Sequence, residues 1–280
     1  MRMKGWSLGF TISGLVLVVF ALVWLLAIFP AMAKMPTDYE QEYKFEGSIK
    51  QLNSATMSLD EIPTNVVRLL TATGTQDDVL LLKQDVNIYH AQAGVLLTSS
   101  SEVYGLDRTT RENVSGYGDM DRSGQFTFPA GVEQKTYTFW SASAMAALPA
   151  NFVSEETFHG ITVYNFKIDS SNLAAGTMEG TGLPLTMDVL TEIKVEPVSG
   201  IPVYTASTTT VKAQLMPGDP TPIYVNSFAF TSETTDKMVD LAESTRSLIL
   251  WTTFYGFWIA IGVGVALIVV GVVMAIRTKE

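Results

Sequence analysis

The sequence predicts a mainly β protein, an antiparallel sandwich or barrel-like domain held outside a membrane and flanked by two transmembrane α-helices. Three observations carry this. The stretches from Trp6 to Met32 and from Ser247 to Ile276 contain no charged side chain, and each exceeds the roughly 20 apolar residues that cross a hydrocarbon core of about 30 Å. Between residues 60 and 231, β-branched and aromatic runs recur with turn signals about every 8–15 residues, without a convincing helical period, as in antiparallel β folds. Residues 38–245 hold 27 Asp and Glu against 12 Lys and Arg, a net charge of −15, as expected of a water-facing domain.

Residues 1–34 form the expected N-terminal anchor. Arg2 and Lys4 precede the first span, and Arg277 and Lys279 follow the second. Basic residues collect on the cytoplasmic side, so a two-pass protein with both termini cytoplasmic and an extracytoplasmic centre is expected in the cell membrane. Ala31-Met32-Ala33 resembles a signal-peptidase site. The apolar run is longer than the roughly 7–15 residues of a cleavable signal, so an uncleaved anchor is the reading.

Residues 35–231 form the expected β domain. Lys44–Gln51 alternates with Phe45 and Ile49 on one face, and Asn65–Thr73 is β-branched and apolar. Val79–Leu82, Asp85–His90 and Ala93–Ser99 read as three strands. Phe152–Phe158 and Ile161–Ile168 flank His159-Gly160, a tight-hairpin signal. Met187–Val195 and Ile201–Ala213 flank Glu196-Pro197-Val198-Ser199-Gly200, and Ile223–Thr231 ends the series.

Residues 232–246 predict a helical stalk, with Met238, Leu241 and Ala242 on one stripe and Ser232 or Thr235 as its cap. It is expected to run on into the second span, residues 247–280. There Gly256, Ala260 and Gly264 repeat every four residues, a spacing that lets helix backbones approach closely. The partner is either the first span, through Gly5, Gly9 and Ser13, or another subunit.

Composition excludes several function classes. The chain has no cysteine and two histidines, His90 and His159, which removes thiol chemistry and His-rich metal sites. Nucleotide-binding, serine-hydrolase and zinc-protease motifs are absent. The acidic domain argues against nucleic acid. No enzyme activity, cofactor or metal is expected. Asp119–Gly124 imitates half a calcium loop, but Ala130 occupies the place of the closing glutamate, so an acidic turn is the reading. Asn113-Val114-Ser115 is a glycosylation acceptor pattern. His90 and His159 read as strand-face and turn residues, and Glu155-Glu156 as solvated strand positions. Phe126, Phe128, Tyr137, Phe139 and Trp140 form the densest aromatic cluster of the exported region. They read either as a core corner of the sheet or as one wall of an apolar pocket.

Several segments in order carry a family resemblance. Tyr104-Gly105-Leu106-Asp107-Arg108-Thr109-Thr110, Phe126-Thr127-Phe128-Pro129, Glu133-Gln134-Lys135-Thr136-Tyr137 with Trp140, Pro149–Glu156, Gly160–Phe166 and Glu196–Gly200 resemble the PorA-like family of two-span actinobacterial and archaeal membrane proteins. The resemblance implies the two-anchor topology and a β-rich ectodomain, and lends almost no mechanism.

The leading expectation is a non-enzymatic envelope protein, a structural or accessory subunit of a membrane or cell-surface assembly. Its partners are the bilayer and either other envelope proteins or further copies. The alternative is binding or relay of a lipid or other apolar ligand. A pore ranks third, because Thr11, Ser13, Thr252 and Thr253 are the few polar residues near the span ends.

Overall fold

The computed structural model describes residues 2–29, 34–215 and 218–277. The Ala31–Ala33 pattern lies outside these residues. The chain divides into two compact units, Met1–Lys34 with Ser244–Glu280, and Met35–Glu243.

In the helical unit, α1 (Arg2–Val23) continues through a π-helical turn at Trp24–Ile28. The C-terminal helix α2 (Ser232–Leu250) passes through a second π-turn, Trp251–Tyr255, into α3 (Gly256–Arg277). Helices α1 and α3 pack antiparallel: the Ser7 hydroxyl donates to the Gly271 carbonyl at 2.8 Å, and Trp24 Nε1 donates to the Thr252 carbonyl at 3.2 Å. Buried small residues recur every seven positions, Ser7, Gly14 and Ala21 on α1 against Gly264 and Gly271 on α3. A Cβ on Gly14 would lie 2.4 Å from the Gly264 carbonyl oxygen, so glycine is required for this approach. A seven-residue period is that of a gently supercoiled pair. Gly264→Leu is expected to weaken the pairing by about 1–3 kcal/mol through overpacking. The distance between spin labels on Gly9→Cys, where a side chain has open space, and on Val270→Cys, which is 45% exposed, reads it out in a chain with no other cysteine.

The second unit is one antiparallel sheet of eleven strands. These are β1 (Glu40–Asn53), β2 (Ser58–Gln76), β3 (Val79–His90), β4 (Leu96–Asp107), β5 (Asn113–Gly118), β6 (Tyr137–Ser141), β7 (Ala146–Phe158), β8 (Ile161–Thr177), β9 (Pro184–Val195), β10 (Pro202–Ala213) and β11 (Thr221–Phe230). Two meanders, β1 to β5 and β6 to β11, join where β1 pairs with β11. The remaining edges, β5 and β6, meet through a short segment between them. Gln125 bridges Glu112 on one side and Phe139 on the other. Its N–H donates to the Thr138 carbonyl, its carbonyl accepts from Trp140, and Asn113 N–H donates to the Gly124 carbonyl. The sheet therefore curls into a closed, barrel-like ring, which removes both exposed edges.

Alternation fills the ring. In β1, Tyr43 and Phe45 point inward between exposed acids. In β3, Leu80, Leu82, Gln84 and Ile88 do so. His159 and Gly160 both adopt positive φ, 48° and 87°, making the tight turn their sequence predicts. The cap of α2 is Thr231 rather than Ser232 or Thr235, since its hydroxyl accepts from the Thr234 N–H at 3.2 Å. Helix α2 buries Thr234, Thr235, Met238, Val239 and Ala242. Leu241, expected on that stripe, is 39% exposed, because the contact face rotates toward Val239, which packs with Ile161, Val163 and Val203. Residues 232–243 thus belong to the β domain rather than to a free stalk.

Candidate functional site

The ring encloses a cavity of about 340 Å³, within the range of small-molecule pockets. Its wall is built from inward positions of both meanders. Of the aromatic cluster singled out in the sequence, Phe126, Phe128, Phe139 and Trp140 line it and Tyr137 does not. Both readings of that cluster are present in different residues. Phe128 has no exposed surface, and its ring centre lies 4.6 Å from Phe139, 4.6 Å from Phe166 and 5.3 Å from Tyr137. These four are a packed core knot. Phe126 and Trp140 pack instead on the opposite half of the interior, Phe126 edge-on to Tyr104 at 4.7 Å.

The segment carrying Phe128 is held by its backbone. Gly131 and Val132 N–H groups donate to the Val198 and Pro197 carbonyls, and Arg111 donates to the Phe128 carbonyl. The expected turn at Glu196–Gly200 is thus also a dock. Gly200 has φ +71°, and a Cβ there would lie 2.0 Å from the Pro129 carbonyl oxygen.

Polar residues that sequence reading missed share the cavity. Arg68 lines it between Val66 and Leu70, both buried, and directly opposite Tyr43 on β1. Its guanidinium carbon lies 4.7 Å from the Tyr43 ring centre and 5.2 Å from that of Phe45. Among the described residues it makes no ion pair, and its Nε has no hydrogen-bond partner. Burial lowers the Arg68 pKa, opposed by its tyrosine neighbours. Tyr39 and Tyr43 also line the cavity, with their hydroxyls 3.4 Å apart. Burial, then Tyr43, pushes the Tyr39 phenol well above its ordinary value, while Arg111 and Arg68 pull it down. Arg111 is likewise lowered by burial and is close enough to Tyr39 and Tyr43 to feel both. The one sequence signal for Arg68 was a charged residue at an inward, period-two position of an otherwise apolar strand.

A second polar group pairs its arginine with acids, although the Arg122 Nε, like that of Arg68, has no hydrogen-bond partner. Arg122, its side chain 3% exposed, lies 4.1 Å from the Tyr104 ring centre and pairs with Asp119 and Glu102. It also donates to the Val103 carbonyl at 3.0 Å. Tyr104 donates to Glu102 and accepts from Gln84.

The remaining sequence candidates fall into structural roles. Asp119 serves Arg122, and Asp121 accepts from Ser115 and from the Gly116 N–H, so the calcium-like run is an acidic turn. Asp107 accepts from the Thr109 and Thr110 N–H groups, while Arg108 donates to the Met35 carbonyl and pairs with Asp78. Asn113 clasps the Gly124 carbonyl at 2.9 Å. His90 accepts from two turn N–H groups, and His159 lies 3.3 Å from Asp236. Glu156 pairs with Lys194. Of the small-residue lane Gly256, Ala260 and Gly264, Gly264 packs on α1, where a Cβ would lie 2.9 Å from the Gly14 carbonyl oxygen. A Cβ on Gly256 would meet its own helix at Trp251, and Ala260 is half-buried. Gly5 and Gly9 have open space where a side chain would begin.

No curated protein matches this chain. The family model of porin PorA matches residues 6–273, a span that takes in both apolar helices and the whole sheet. This match corrects the expectation of a structural or accessory subunit, which had placed the pore third. That ranking rested on how few polar residues two helices per subunit bring to a channel lining. The hairpins at His159-Gly160 and Glu196–Gly200 and the Phe126–Phe128 segment all lie within the matched span, and the chain belongs to the porin PorA family.

Proposed function

We propose that this protein forms a membrane pore from several copies of the chain, acting without covalent chemistry or cofactor. The observation that carries it is the family match over both apolar helices and the sheet. In this reading α1 and α3 cross the bilayer. Basic residues at both tails and the antiparallel packing of the pair favour cytoplasmic termini and an exported β domain. The sheet itself is not the membrane-crossing wall. Its interior is mostly apolar and its outer positions carry charges such as Lys44, Lys50 and Lys167, the reverse of a membrane barrel.

One helix pair offers no aqueous path. The hydroxyls of Ser7, Thr11, Thr252 and Thr253 are all spent on backbone carbonyls of the pair. The conducting state therefore needs association between copies, with the bilayer and neighbouring chains as partners. Purified full-length protein in planar bilayers is expected to give stepwise conductance that rises more steeply than linearly with protein amount. Folded protein that gives no steps above the detergent blank at any protein-to-lipid ratio sinks the reading.

A further inference from the structure

We propose that the cavity inside the β ring is a binding site for a single-chain organic carboxylate, with Arg68 taking the carboxylate and the aromatic wall taking the apolar body. The inference rests on the pore reading above and names the solute class that the exported domain receives.

Two features require an anion with an apolar tail. The first is charge. Arg68, on the cavity wall, and Arg111 are each partly buried, and neither makes an ion pair among the described residues. Such a guanidinium is left without a counter-charge in a domain whose surplus of acids could have supplied one, as it does for Arg122. Arg68 keeps a free Nε donor directed to no protein acceptor. A guanidinium presents a planar fork that matches a carboxylate. The Tyr39 and Tyr43 hydroxyls line the same cavity and can donate to the same oxygens.

The second is the wall. Phe126, Trp140, Val86, Ile193, Phe228 and Phe230 surround the same space. An inorganic anion leaves that apolar surface unfilled, and a cationic or neutral amphiphile leaves Arg68 unpaired. The volume of about 340 Å³ lies at the small end of ligand pockets, which fits one short acyl chain or aryl body rather than a two-chain lipid.

The test uses the full chain in nanodiscs, with labelled octanoate followed by equilibrium dialysis and empty nanodiscs subtracted. Saturable octanoate binding is expected, with octanamide at least about tenfold weaker because it lacks the charge that Arg68 pairs. Arg68→Met is expected to lose at least about tenfold in octanoate affinity while leaving the weak octanamide binding unchanged. Val86→Phe, which keeps Arg68 and fills the space, is expected to lose both. The comparison of octanoate with octanamide needs no variant, so it stands even where Arg68→Met fails to fold. Absent octanoate binding, equal binding of the two probes, or unchanged octanoate affinity in folded Arg68→Met overturns the site. Bilayer conductance without octanoate binding removes the site and leaves the pore. Octanoate binding without conductance upholds the site and removes the pore.

Discussion

Phe128→Ala is expected to destabilise the β domain by about 3–5 kcal/mol, the range for deleting a buried aromatic ring. The upper part of the range applies here for a local reason. Phe128 has no exposed surface and touches three other rings. It also lies outside the regular strands, on the segment that follows Gln125, whose bridges join the two edges of the sheet. A strand residue that loses its side chain keeps two ladders of hydrogen bonds. This segment keeps only the bonds to Arg111 and to the Pro197–Val198 turn. Loss of the ring therefore loosens the closure as well as the core. A fall in unfolding midpoint of roughly 6–20 °C follows for a domain of this size, measured by near-ultraviolet circular dichroism on the full chain. Phe128→Leu is expected to recover more than half of the loss. A change under about 1 kcal/mol in Phe128→Ala would falsify the view that this ring anchors the closure.

The contrast between strand and closure also explains what could be read from the sequence. Strands with clean alternation and a chemically specific turn were legible, such as β7 and β8 about His159-Gly160, where both turn residues take positive φ. The runs Val79–Leu82 and Asp85–His90 read as two strands but form one. Gln84 stands between them at an inward position, 9% exposed and donating to the Tyr104 hydroxyl, and a polar residue there looks like a break. Strand β5, Asn113–Gly118, was missed because it is short and contains two glycines. The closure by Gln125 joins residues far apart in the chain, and no local pattern encodes it. The same holds for the cavity. Its aromatic wall was visible as composition, whereas Arg68 enters the cavity through a strand pairing that sets it across from Tyr43 on β1. In the helices, a four-residue repeat of small side chains was visible, but the contact follows the seven-residue repeat of Ser7, Gly14 and Ala21. Which repeat is used depends on the partner helix, so one helix alone does not reveal it.

Arg122→Met is expected to cost about 3 kcal/mol at neutral pH, near the low end for breaking a buried ion pair from one side. Methionine keeps most of the apolar stem and loses the guanidinium, with its ion pairs and its place over the Tyr104 ring. The low end applies because the partners are not sealed from water: Glu102 and Asp119 are 28% and 40% exposed, and solvent screens them once they are left alone. The pH dependence gives a sharper check. Burial pushes the Asp119 carboxyl up, but hydrogen bonds from Arg122 and the Val103 N–H, with the charge of Arg122, hold it below its ordinary value. A carboxylate lowered on folding contributes stability that is fully present above its unfolded pKa, about 3.9, and is lost as pH falls through the lower folded value. In Arg122→Met only backbone N–H bonds such as that from Val103 still oppose burial, so protonating Asp119 costs the mutant less than it costs the wild type. The stability gap between the two proteins is therefore expected to be widest near neutral pH and to close as the pH drops below about 4. Denaturant melts at a series of pH values measure that gap directly. A gap that stays constant into acid means that Arg122 acts through its stacking on Tyr104 alone, and the charge account of this network fails.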